Sequence, residues 1–335
     1  MASAKLTGDE SAQVRAWQAW LVQYMAAEVL RRDAARADDI ALMSELSGIR
    51  DADATYAADQ ASGMTVFLYG GFGSRKTTWA ASAPGAYFLS CGLEGGDVAL
   101  DYYPRIALKM LNAAHAAQPL FLADGTPTGV VPPVFNAGRP ASKVISSVDG
   151  LAEKANQLAK TGKANGVRTV VVDSVTYLQA MWMNEITQGG AKCMRIQDWG
   201  TLSTWMRNMQ INLQEAGLNV IWLATETEVV EPDDKNFAKK NVGKVLPAMK
   251  GSARNEVMGA CKIIMRAERM LEAAPGMGSR KRAVPRFWAE PSTLDAQLRH
   301  KFYDSFPRGM LEDPVFGTEP TFGALYRAVG DYITL

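Results

Sequence analysis

Cysteine and histidine are scarce in this chain. Its three cysteines, Cys91, Cys193 and Cys261, lie far apart with no CxxC spacing, and its two histidines, His115 and His300, stand alone without a partner motif. That argues against a disulfide framework, a Cys/His zinc site and histidine-centred acid–base chemistry. An excess of one charge is also missing: 36 Lys+Arg face 35 Asp+Glu, so any affinity for nucleic acid has to come from local patches. No apolar run approaches the roughly 20 residues of a membrane span, and the opening MASAKLTGDE has no signal-peptide core. A cytoplasmic protein with no membrane partner is therefore expected. What is present, 335 residues at 47% hydrophobic content, suffices for one large domain or a domain with an appendage.

Residues 1–60 are expected to form a helical appendage, with two helices over 9–47. The first is introduced by a capping box from Thr7 to Glu10 and carries Val14, Trp17, Leu21, Tyr24 and Met25 at helical spacing, a stripe expected to pack on the chain's own core. Residues 61–335 read as one α/β domain. Short strand-like runs (MTVFLY, AYFLS, VRTVVVD, NVIWLAT, CKIIMRA, PRFWAE) alternate with helical stretches at 105–118, 148–161 and 198–216. Such alternation predicts a mainly parallel central sheet flanked by helices. The Pro- and Gly-rich segment 119–142 reads as an inserted loop.

The most informative stretch is MTVFLYGGFGSRKTTWAASAP, in which an apolar strand runs into Gly70, Gly71, Phe72, Gly73, Ser74, Arg75, Lys76, Thr77 and Thr78 and then into a helix. Strand, glycine loop, Lys-Thr and helix in that order make a phosphate-binding loop. Glycines let backbone N–H groups close around a phosphate, Lys76 neutralises β/γ oxygens, and the Thr77 hydroxyl ligates Mg2+. Arg75 occupies the second glycine of the pattern GxxxxGK[ST]. Two readings of it stand open: its side chain crowds the phosphate, or it points outward and adds a charge.

Such a loop needs a carboxylate at the end of a neighbouring strand, and Val170-Val171-Val172-Asp173-Ser174 supplies one. Asp173 is the expected metal-side acid. Glu94, after the strand Ala86 to Ser90, is the expected general base, with a solvated loop acid as the competing reading; Asp97 and Asp101 are lesser candidates. Thr225 ends the strand that starts at Asn219 and is placed to sense a γ-phosphate, although a strand ending in polar residues explains it nearly as well.

Together with Gln197-Asp198-Trp199-Gly200 opening a long helix, VIWLATE, and LPAMKGSARNEV before CKIIMRAE, these elements resemble the phage-encoded RecA-like P-loop ATPases, some of them related to single-strand annealing or recombination ATPases. The likeness spans residues 64 to 310. It implies ATP with Mg2+, assembly of identical subunits into a ring or filament with ATP at subunit interfaces, and work on DNA during replication or recombination, in the host cytoplasm if phage-encoded. From the residues themselves, Lys76, Glu94 and Asp173 are the expected catalytic residues. Arg75 departs from the family's glycine.

Between Asp233 and Arg254 lie Lys235, Lys239, Lys240, Lys244, Lys250 and Arg254, in a stretch that reads as loop and hairpin. A flexible cationic loop can follow a phosphate backbone, most simply that of single-stranded DNA, and a solvated loop is the competing reading. In RecA-like proteins the region looks like a mobile DNA-contacting loop, which makes Lys250 and Arg254 candidates for reaching a neighbour's nucleotide. A second cluster, Ser279 to Arg286, reads as a hairpin turn. Three functions follow: a DNA-directed ATPase, a non-hydrolysing assembly protein compromised by Arg75, and, less favoured, a small-molecule kinase.

Overall fold

The computed structural model describes residues 6–47, 63–92, 96–117, 136–190, 193–232, 239–250, 252–273, 281–289, 299–300 and 321–329. Strand β1 (Thr65–Gly70) is buried at all six positions. Period-two alternation divides its side chains: Val66 and Leu68 enter one core, Phe67 and Tyr69 the other. Neighbouring strands repeat the division, with Ile221 and Leu223 on the first face and Val220 and Trp222 on the second. A strand buried on both faces needs helices on both sides, and that makes the α/β sandwich.

The other strands are β2 (Ala86–Cys91), β3 (Ala141–Ile145), β4 (Thr169–Asp173), β5 (Asn219–Pro232), β6 (Lys239–Pro247), β7 (Ile263–Ala273), β8 (Lys281–Trp288) and β9 (Arg299–His300). The sheet order is β3-β2-β4-β5-β1-β7-β8, with β6 paired to β5 and β9 to β7. Pairs β1·β5, β1·β7, β2·β3, β2·β4 and β4·β5 are parallel, so their carboxyl ends share one edge. The expected α/β class with a mainly parallel, helix-flanked sheet is what the chain adopts. The loop's strand and the Asp173 strand are not adjacent, however: β5 lies between them, and β2 is further out still.

Helix α1 (Gly8–Ser47) is one helix of 40 residues where two were expected. No Gly or Pro interrupts residues 9–47, so nothing in the sequence breaks it. The capping box is present: Thr7 N–H donates to Glu10 Oε2 at 2.8 Å and Glu10 N–H to Thr7 Oγ1 at 3.3 Å. Those bonds from Thr7 hold the Glu10 carboxyl below its usual range. Val14, Trp20 and Leu21 are buried in the first core, and Trp17, Tyr24 and Met25 pack against it. On that face also lie α2 (Lys76–Ala81), α3 (Gly96–Ala117) and α8 (Phe322–Val329), while α4 (Val148–Thr161), α5 (Val175–Ile186), α6 (Ile196–Glu215) and α7 (Ser252–Ala260) cover the other.

Three further expectations are corrected. The segment 119–142 overlaps a strand, because Ala141 and Ser142 open β3, a short, mostly exposed edge strand in which Ser142 and Lys143 interrupt the apolar residues and hide it from a search for apolar runs. Residues 118–135 lie outside the described residues. Strand β5 does not stop at Thr225 but continues to Pro232, pairing antiparallel with β6, so much of the basic segment is hairpin. In the second basic cluster, residues 281–286 belong to β8, and Arg286 pairs with Glu272 across the β7–β8 hairpin.

Helix α2, which follows the glycine loop, is anchored by Trp79. Its ring stacks on Phe287 of β8 at 5.9 Å and lies 5.3 Å from Phe322 of α8. Trp79→Ala is expected to cost about 3–5 kcal/mol, the range for truncating a buried aromatic, read as a lowered urea midpoint.

Candidate functional site

The glycine loop leaves β1 at the sheet's carboxyl edge. Gly70 can only be glycine, since a Cβ there would lie 2.0 Å from the carbonyl oxygen of Ala267 on β7. Gly73 has φ 74°, in the left-handed region that favours glycine. Ser74, buried, closes the turn: its hydroxyl donates to the Gly71 carbonyl at 2.8 Å and its N–H to the same oxygen at 3.3 Å. The Lys76 ammonium donates to the carbonyls of Gly70 at 2.7 Å and Gly71 at 2.9 Å. The lysine is thus folded onto its own loop.

Arg75 is the residue before α2, at φ 65° and ψ 24°. This backbone conformation is the reason the pattern has glycine here. A non-glycine residue in the left-handed region costs roughly 1–2 kcal/mol. Arginine adopts that conformation here, and its side chain is exposed.

Asp173, at the end of β4, accepts a hydrogen bond from the Thr77 hydroxyl at 2.9 Å. Burial pushes its carboxyl above the usual range, opposed by that bond and by the Lys76 charge and reinforced by Asp97. The two residues expected to share a metal ion are therefore brought together although 96 positions separate them. A desolvated carboxylate beside a hydroxyl suits a hard divalent cation. Among the described residues no group of three or more His, Cys, Asp or Glu could hold a metal, so bound phosphates would have to complete such a site. Around the pair opens a cavity of about 250 Å3 lined by Phe72 to Thr78, Ala99, Asp173, Ser174 and Thr225.

Thr225 is in register with Gly70 on β5. Its N–H and its hydroxyl both lie 3.1 Å from the Thr176 hydroxyl of α5. One turn further along α5 the buried Gln179 side chain clasps the Lys250 backbone, accepting from its N–H at 2.7 Å and donating to its carbonyl at 2.8 Å. Helix α5, which starts beside Asp173, is thereby tied to the cavity wall and to the segment joining β6 to α7.

Sequence reasoning passed over Glu226. Its Oε2 accepts from Arg266 Nε at 3.1 Å, and its Oε1 lies 3.0 Å from where a Cβ on Gly71 would stand. The only signal was its position one residue past Thr225. Of the other expected site residues, Glu94 lies outside the described residues. Asp97 and Asp101 are engaged by Arg139, Asp101 at 2.5 Å and Asp97 at 3.8 Å, which ties α3 to the approach to β3. Lys239, Lys240 and Lys244 fall on β6, but their side chains are outside the described residues. Lys250 is exposed, and the half-buried Arg254 on α7 has an Nε with no hydrogen-bond partner among the described residues. No helix among the described residues is long and apolar enough to cross a membrane.

The sequence profile of a family described as an AAA domain matches residues 62–285. No curated protein matches the sequence. Among solved structures the chain is similar to the RadB recombinase at 18% identity and TM-score 0.39, over 74% of this chain and 86% of that one.

Because its folded-state pKa is raised, Asp173 binds its proton more tightly in the folded chain than in the unfolded one. Its contribution to stability is therefore lost as pH rises from the ordinary aspartate pKa through the raised one, and the ionised form weakens the fold at neutral pH. Without added ligand, Asp173→Asn is expected to be at least as stable as wild type at pH 7, with the difference shrinking below pH 4. Urea denaturation across pH checks this, and a variant clearly less stable at neutral pH would contradict it.

Proposed function

From the premise that this chain belongs to the AAA-domain family, we propose that it binds ATP with Mg2+ in the Gly70–Thr78 loop, hydrolyses it, and couples that cycle to DNA. One observation carries the reading: the hydroxyl of Thr77 and the half-buried carboxylate of Asp173 meet at 2.9 Å in a polar cavity that also holds Lys76. In it, Lys76 exchanges the carbonyls of Gly70 and Gly71 for phosphate oxygens, while Gly70, Gly71, Gly73 and Ser74 keep the loop backbone close around them. Thr77 and Asp173 would hold Mg2+, whose chemistry is to neutralise charge on the phosphates. Thr225, fixed by Thr176, faces the same cavity and is suited to report whether the terminal phosphate is present. Glu94 is proposed to orient the attacking water, and Glu226 to support the loop beside Gly71.

Coupling to DNA is proposed for the β5–β6 hairpin and its flank. Strands β5 and β7 both run past Gly70, so their hairpins rise on either side of the loop. Lys239, Lys240 and Lys244 on β6 would meet the backbone of single-stranded DNA, with Lys250 and Arg254 at the foot of the hairpin directed to DNA or to the nucleotide of a neighbouring subunit in a ring or filament. The finer setting proposed is that of the phage-encoded RecA-like ATPases of replication or recombination, in the host cytoplasm. A second reading, nucleotide binding without turnover in an assembly protein, has the left-handed Arg75 in its favour.

The purified chain is expected to hydrolyse ATP with Mg2+, faster with single-stranded DNA. Lys76→Ala is expected to lower turnover by about 100-fold or more, and Glu94→Gln to abolish turnover while leaving binding intact. Binding without turnover in wild type would move the conclusion to the assembly reading, and no binding at all would overturn nucleotide recognition.

A further inference from the structure

Arg75 borders two hollows. One is the cavity of about 250 Å3 that it lines with Lys76 and Thr77; the other is an apolar crevice of about 30 Å3 walled by Trp79, Tyr103, Ile106, Met110, Pro285 and Phe287. Arg75 and Thr78 are the two residues common to both walls, so they form the ridge between a polar hollow and an apolar one. At about 30 Å3 the crevice is much smaller than the polar cavity of about 250 Å3, so its mouth rather than its interior is the surface offered to a planar group.

A nucleoside triphosphate has the same division: a charged tail at one end and a flat heterocycle at the other. Guanidinium suits the ridge between them, because it stacks on π faces, stays charged and is weakly hydrated. We propose that Arg75 is a nucleotide-positioning residue whose guanidinium lies flat on the base, held across the mouth of the crevice, while the phosphates occupy the glycine loop. This rests on the reading that the loop takes a nucleoside triphosphate. It also gives the arginine a use at a backbone position where glycine is less strained.

Strain and ligand contact pull in opposite directions, which makes the test sharp. Wild type, Arg75→Gly and Arg75→Lys in the full chain are titrated by calorimetry with ATP and, separately, with inorganic tripolyphosphate, both with Mg2+. Arg75→Gly is expected to weaken ATP binding by about 3- to 30-fold, the span of one cation–π contact, with tripolyphosphate bound as well as before or tighter. Arg75→Lys, which keeps the charge but not the flat group, is expected to lose most of the same affinity. Thermal unfolding of Arg75→Gly without ligand, no lower than wild type, confirms that the fold is intact.

Unchanged or tighter ATP binding by Arg75→Gly would overturn the proposal. So would equal loss of ATP and tripolyphosphate, which would place Arg75 on the phosphates, or full ATP affinity in Arg75→Lys, which would make it a simple charge. A wild-type chain that binds neither ligand overturns the nucleotide reading and this inference with it, and is distinct from every variant outcome.

Discussion

Strand β1 has no free edge and no free face, and the site depends on that constraint. All six of its residues are buried, β5 and β7 hold its two edges in parallel register, and both neighbours continue beyond its last residue. The chain must therefore turn at Gly70 in a slot between two rising strands. On one side the carbonyl of Ala267 leaves no room for a side chain at Gly70, before any ligand is considered, and on the other the carboxylate of Glu226 lies beside Gly71. Backbone groups confined in such a slot need little reorganisation to receive a charged group, which is the physical meaning of a preorganised site.

The charges of the site rest on partners that a ligand can replace. The Lys76 ammonium rests on two carbonyls, and the Asp173 carboxylate, raised by burial, accepts from a hydroxyl. These contacts satisfy polar groups without the full compensation that phosphate and a divalent cation would supply.

Much of this was legible in the sequence because the relevant signals are local. Glycine spacing, the Lys-Thr pair and VVVD state their chemistry within a few residues, and the alternation of apolar runs with helical stretches gave the sandwich. Three things were hidden. The position of β5 between β1 and β4 is set by long-range pairing, on which local propensity is silent. Strand β3 (ASKVI) is short and mostly exposed at an edge, so it lacks the long apolar run of a buried strand. Glu226 becomes notable only through its distance from Gly71, which no spacing rule encodes. Arg75 is the converse case: its identity was plain, but its left-handed backbone and the two hollows it borders needed the structure.

Strand β5 is long, and its support changes along its length. From Val220 to Leu223 it is bonded on both edges, to β1 and β4; past Thr225 its described pairing is with β6 alone. In mechanical terms it is a cantilever clamped in the sheet, and its register shift between Glu228 and Val230 is a local soft point where bending concentrates. Thr225 stands at the clamp and Gln179 braces the foot of the return strand. By lever geometry, a given rotation at Thr225 is a larger displacement at Pro232 and Lys239, the last described pair of the hairpin.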